Sequence, residues 1–146
     1  MDEIIYSSIK LISAKKEAAD VEFKYQGYEN AYIKMQSGEA QTVILNLLDN
    51  SCYWLGRIKD KKTIQICVEE KKDKILVNVS DNGPGIASED VEKIFIPGTT
   101  GKPHGIGMGL VIVTELLDRH DCKIEACIPG DIGGATFIFE LPKGEK

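Results

Sequence analysis

Positive charge is scarce in this sequence: 18 lysines and arginines stand against 23 aspartates and glutamates, a net charge of −5. A general nucleic-acid binder needs a basic face, so that class is disfavoured. No apolar run approaches the roughly 20 residues that cross a bilayer, and no signal-peptide pattern is read ahead of the first helix. The four cysteines, Cys52, Cys67, Cys122 and Cys127, form no Cys-x-x-Cys pair and lie among core-type residues. They read as free, mostly buried thiols in a reducing, cytoplasmic compartment, in preference to a zinc site or a disulfide framework. Internal repeats and low-complexity tracts are also missing.

What is present is one domain's worth of chain. Its 146 residues are 42% apolar and 28% charged, enough for a two-layer core and too apolar for disorder. Residues 2 to about 19 carry apolar positions at helical spacing, with Asp2 as a candidate N-cap. Residues 21–25 alternate as a strand does. Ala40, Val43, Ile44, Leu47, Leu48, Ser51 and Leu55 form one buried helical stripe. Residues 63–68 and 74–79 alternate around a charged tip and predict a hairpin. Ser88 is positioned to cap a short helix, residues 96–108 read as a loop, and a helix is expected from 109 to about 120, closed by Arg119 and His120. Residues 122–128 and 135–141 read as two further strands. The order suits an α+β fold, a mixed sheet with helices on one face.

Two glycine clusters dominate the chemistry. Gly98, Gly101 and Lys102 have the wrong spacing for a P-loop, and Pro103 stands where that loop places its magnesium-binding hydroxyl. Gly105, Gly107 and Gly109 do not form a dinucleotide fingerprint, and a loop precedes them where that motif requires a strand. The informative pattern is Asp81, Asn82, Gly83, Pro84, Gly85 and Ile86, followed by the second cluster at a helix start. An acid on a tight glycine turn accepts a hydrogen bond from a base, and a glycine-rich helix N-terminus holds phosphates. Upstream, Asn46, Asn50, Tyr53 and Arg57 fall three or four residues apart, a polar stripe bordering the apolar one. Amide oxygens at Asn46 and Asn50 suit a hard cation such as magnesium. Downstream, Gly133, Gly134, Ala135 and Thr136 open the last strand.

In this order the motifs resemble the ATP-binding catalytic domain of sensor histidine kinases, within the GHKL superfamily shared with gyrase, mismatch-repair ATPases and a heat-shock chaperone. Residues 46–50 resemble its N box, 81–86 its first glycine box, and Lys93 to Pro97 with Thr99 and Thr100 its F box. Residues 105–110 resemble the second glycine box and 133–136 the last, so the likeness covers nearly the whole chain. It implies the Bergerat fold: a two-layer α/β sandwich with about five strands in a mixed sheet, three main helices on one face, and a mobile ATP lid at 96–108. Residues 1–146 would be a single domain, with 1–20 derived from a linker helix.

The resemblance implies Mg-ATP as the bound nucleotide, and its roles follow residue by residue. Asp81 would accept from the adenine amino group, with Gly83, Gly85 and Ile86 around it and Thr136 reaching the same edge through water. Asn50 would be the principal magnesium ligand, supported by Asn46. The amides of Gly107, Gly109 and Leu110, with Gly105 beside them, would meet the β- and γ-phosphates. Thr99 and Thr100 would line the lid, Lys102 would reach the γ-phosphate, and Trp54 would stack on adenine or ribose. Where the family usually carries a basic residue after the second N-box asparagine, this chain has Tyr53.

No dimerisation helix pair is read, and neither His104 nor His120 suits a phosphoacceptor. The leading expectation is therefore a kinase domain that passes the γ-phosphate to a histidine on a separate dimerisation domain, and thence to a response regulator. Partners of other kinds, nucleic acid or membrane, are not expected for this domain, although a longer protein carrying it could be membrane-anchored. Two alternatives stay open. One is a hydrolase of the gyrase or chaperone type, although Asn46 sits where those relatives place a base, and an amide cannot take a proton at neutral pH. The other is a nucleotide-binding module without turnover, which Tyr53 keeps open.

Overall fold

The structure, a computed structural model, describes residues 1–15, 18–27, 31–85, 109–127, 130 and 132–145. Within them lie three helices, α1 (Asp2–Ser13), α2 (Ser37–Leu55) and α3 (Gly109–Asp118). Five strands accompany them: β1 (Val21–Gln26), β2 (Lys62–Glu70), β3 (Lys74–Asp81), β4 (Ile124–Cys127) and β5 (Thr136–Pro142). The strands form one mixed sheet in the order β1-β2-β3-β5-β4. β1 runs parallel to β2, and the other neighbours are antiparallel.

Period-two patterning explains the sheet. Ile64, Ile66 and Val68 of β2, Ile75, Val77 and Val79 of β3, and Phe137, Phe139 and Leu141 of β5 are buried, while their neighbours are less so. One face of the sheet is therefore apolar, as expected where helices cover a single side. α2 lies against β2 and β3 with α1 and α3 flanking it. Its buried residues include Val43, Ile44, Leu47, Leu48, Ser51 and Leu55, the stripe that its sequence spacing predicts. Each fully buried Leu, Ile or Phe there contributes about 1.5–3 kcal/mol relative to exposure.

Three helix ends differ from the sequence expectation. α1 closes at Ser13 and does not run on to about residue 19. Its N-cap position is Met1, and Asp2 lies inside the first turn, where its Oδ1 accepts a hydrogen bond from the Tyr25 hydroxyl of β1. A tertiary partner thus takes the carboxylate from the local capping role. α3 ends at Asp118, two residues before His120, and Asp121 takes the left-handed conformation at φ 56°. The Cys122 N–H reaches back 2.9 Å to the Leu117 carbonyl, and Lys74 Nζ donates to the Asp121 carbonyl at 3.0 Å. These bonds satisfy carbonyls that glycine closures usually serve. Cys52 and Cys122 are buried and Cys67 and Cys127 half-buried, all free. Among the described residues no helix is long and apolar enough to cross a membrane.

Candidate functional site

β3 delivers Asp81 to the end of the sheet, where its carboxyl is buried at 3% exposure. Antiparallel pairing places β5 alongside, so Ser80 is opposite Thr136. The Asp81 N–H donates to the Ala135 carbonyl at 3.0 Å, and the Gly134 N–H donates to the Asp81 carbonyl at 3.1 Å. Asp81 Oδ1 accepts from the Gly83 N–H at 2.9 Å and, more distantly, from the Ala135 N–H at 3.5 Å. Those amides fix the carboxyl plane and leave Oδ2 as its second acceptor.

The approach is close enough to dictate residue type. A Cβ at Gly134 would stand 2.4 Å from Asp81 Oδ1, 2.5 Å from its carbonyl oxygen and 2.6 Å from the Gly83 nitrogen. Gly85 turns the chain away at φ 79°, a conformation that favours glycine. Burial pushes the Asp81 carboxyl above its ordinary value of 3.8, opposed by hydrogen bonding from Gly83, Ala135 and Ser51. A shielded carboxyl held by backbone amides is a directional acceptor, suited to an N–H donor arriving from the open side.

Three hydroxyl groups lie at this end of the sheet. Ser80 Oγ and Thr136 Oγ1 share a buried hydrogen bond of 2.8 Å. Ser51, on α2, is fully buried and near enough to Asp81 to lower that carboxyl's pKa. Its hydroxyl lies beside the Asp81 carboxyl, at the margin of hydrogen-bond geometry.

The last turns of α2 pack onto the Asp81 turn: a Cβ at Gly83 would lie 3.7 Å from both Leu55 Cδ2 and the Trp54 backbone carbon. Asn46 and Asn50 are half-buried on the same helix. Asn46 Nδ2 donates to the Thr42 carbonyl at 2.8 Å, which orients the amide. Trp54 is half-buried, edge-on to Tyr53 with ring centroids 5.1 Å apart. The Arg57 guanidinium lies 4.9 Å over the Trp54 ring and donates to the Tyr53 hydroxyl at 3.2 Å. Positive charge therefore stands one turn beyond Tyr53, held by cation–π contact. A groove of about 420 Å³ lies on the α1 side of α2, lined by Leu11, Lys15, Thr42, Leu45, Asn46 and Asp49. Neither Asn50 nor Asp81 lines it.

α3 begins at Gly109 with Leu110 next to it, so unpaired amides of a helix N-terminus lie there. Ile86, Thr99, Thr100, Lys102, Gly105 and Gly107 lie outside the described residues, as do Ser88, His104 and the loop 96–108. The described candidates fall into one group from β3 and β5 (Asp81, Gly83, Gly85, Thr136) and one along α2 (Asn46, Asn50, Trp54), with Gly109 and Leu110 opening α3. The sequence spacing puts Ser51 in the apolar stripe and Gly134 at the opening of the last strand. Only the packing of β5 on the Asp81 turn reveals what Gly134 does.

Comparison with known proteins matches residues 35–145 to the family described as histidine kinase-, DNA gyrase B-, and HSP90-like ATPase. The sensor histidine kinase ZraS of Salmonella typhimurium is 30% identical over 97% of the chain. The C4-dicarboxylate transport sensor protein DctB of Rhizobium meliloti is 37% identical over 70%. The chain spans 30% of the first and 16% of the second. Among solved structures, the catalytic domain of histidine kinase ThkA superposes with a TM-score of 0.85 at 30% identity, covering 98% of this chain and 92% of that one. ThkA in complex with the response regulator TrrA gives 0.80 at 27% identity, covering 99% and 40%.

Proposed function

Because this chain belongs to the histidine kinase-, DNA gyrase B-, and HSP90-like ATPase family, we propose that it is the catalytic domain of a two-component sensor kinase. It binds Mg-ATP and presents the γ-phosphate to a histidine on a separate dimerisation domain. A response regulator, the kind of partner with which ThkA is paired, then receives the phosphoryl group. The observation that carries this reading is the buried Asp81 carboxyl, clamped by the Gly83 and Ala135 amides beside Gly134.

The donor set fits the nucleotide. Asp81 takes the adenine amino group, with Gly83 and Gly85 shaping the turn, Thr136 behind it and Ile86 as a further nucleotide contact. Trp54, braced by Arg57, offers a flat surface to the sugar and base. Asn50 and Asn46 contribute amide oxygens to magnesium, which supplies charge neutralisation for the phosphates. Amides of Gly105, Gly107, Gly109 and Leu110 take phosphate oxygens at the α3 N-terminus, with Lys102, Thr99 and Thr100 from the lid. Phosphoryl transfer asks mainly for positioning and charge compensation, so no base is required of Asn46. Arg57 stands one turn beyond Tyr53, which returns positive charge to the α2 face.

Steady-state turnover tests this against the hydrolase alternative. The chain with Mg-ATP alone should bind nucleotide yet hydrolyse it very slowly, and Asn50→Ala should remove the magnesium dependence of binding. Rapid hydrolysis abolished by Asn46→Ala would overturn the kinase reading.

A further inference from the structure

Arg57 carries a charge that no described carboxylate pairs, yet the fold holds it in place. α2 ends at Leu55, but the chain keeps turning. The Gly56 N–H donates to the Cys52 carbonyl at 3.2 Å, and the Arg57 N–H to the Trp54 carbonyl at 3.1 Å. Arg57 thus extends the polar stripe of Asn46, Asn50 and Tyr53, whose members stand three or four residues apart. Tyr53 and Trp54 meet edge-on at 84°, and the guanidinium lies over both rings, 5.6 Å and 4.9 Å from their centroids. It donates to the Tyr53 hydroxyl at 3.2 Å. A cation that only served the α2 C-terminus would turn to its free carbonyls, and among the described residues this side chain meets the phenol instead. Lys15, Lys61 and Lys62 each have a carboxylate partner, whereas among the described residues Arg57 has none.

An exposed arginine is ordinarily free to rotate, and ordering it for an anion costs side-chain entropy. Here two rings and a phenol have ordered it in advance. The corner it occupies adjoins the carboxyl pocket, because the Trp54 backbone and Leu55 pack against Gly83 beside Asp81. We infer that Arg57 binds a phosphate of the nucleotide whose base Asp81 takes, and that Tyr53 is the residue that positions it. This rests on the adenine reading proposed for Asp81 and adds a phosphate contact that the α2 stripe itself supplies. One guanidinium nitrogen is engaged by the phenol, and the remaining N–H donors of the planar fork match phosphate oxygens. In a chain of net charge −5, a cation fixed beside the pocket offsets the repulsion that an incoming polyanion meets. Tyr53 is then no gap in the stripe: its hydroxyl and ring aim the charge that stands one turn on. The contribution is confined to phosphorylated ligands, since a nucleoside offers the guanidinium no anion.

The chain has one tryptophan, so the indole N–H resonance of Trp54 reports on this corner alone. The experiment follows it during titration with Mg-ADP and with adenosine, in the wild-type chain, Arg57→Ala, Arg57→Lys and Tyr53→Phe. Arg57→Ala should lose about three- to tenfold in ADP affinity, with the weaker adenosine affinity unchanged. Arg57→Lys keeps the charge and should recover part of that loss. Tyr53→Phe keeps the ring, removes the acceptor, and should lose about two- to fivefold for ADP and nothing for adenosine. Equal ADP affinity in wild type and Arg57→Ala overturns this inference and leaves the adenine site standing. A parallel loss for ADP and adenosine in Arg57→Ala reduces Arg57 to a support for the Trp54 ring and overturns it as well. An Arg57→Lys variant as weak as Arg57→Ala, or a Tyr53→Phe variant that binds ADP as wild type does, also contradicts it. A wild-type chain that does not bind ADP overturns the adenine reading and this inference together.

Discussion

Asp81 is the residue on which most of the chemistry converges, and its state sets a measurable sign. Burial raises its pKa above 3.8 despite the opposing hydrogen bonds. The native chain therefore keeps that proton at pH values where the unfolded chain has released it. Stability from this group is present below the unfolded value and falls as pH rises through the folded one. Asp81→Asn should remove that fall while keeping an acceptor for the Gly83 amide. In urea titrations from about pH 4 to pH 7, wild type should lose stability relative to the variant as pH increases. Parallel pH profiles would contradict this assignment. The lowered carboxyls of Asp20 and Glu22, beside Lys62 and Lys61, are surface pairs and add little.

Elements were legible where a single period dominates. The α2 stripe, the β2–β3 hairpin and the alternation of β5 follow directly from apolar spacing. Ends were less so, because they are settled by partners distant in sequence. Asp2 is drawn to Tyr25 of β1, and α3 is closed by Asp121 and Lys74 with no glycine at that end. The segment before β5 shows the same limit. In sequence Gly134 only opens the last strand, but its lack of a side chain is what lets β5 meet the Asp81 turn. Gly134→Ala should destabilise the chain by about 1–3 kcal/mol through overpacking, and weaken nucleotide binding with it. Gly38→Ala is the control: a Cβ there meets nothing within 4 Å. In the first turn of α2 that change should be neutral or stabilising by up to about 1 kcal/mol. Equal denaturation midpoints for the two variants would count against the close-approach argument.

At the scale of the molecule, the sheet order β1-β2-β3-β5-β4 is what local patterns did not specify. Period-two alternation marks strands without saying which ones pair, and β5 inserts between β3 and β4. That insertion brings residues 134–136 to Asp81 from more than fifty positions away, and α2 seals the same corner with Ser51, Leu55 and Trp54. The motif order disclosed the family because its glycines and acids are spaced by function. Ser51 stayed hidden, since one serine in an apolar stripe carries no signal until the packing sets its hydroxyl beside Asp81. The central claim is that a buried carboxyl at the end of β3 selects adenine. Titration calorimetry of ADP against the wild-type chain and Asp81→Asn tests it most directly. The account predicts saturable binding by the wild type and a loss of about tenfold or more in a variant that remains folded. Equal affinities in the two would contradict it.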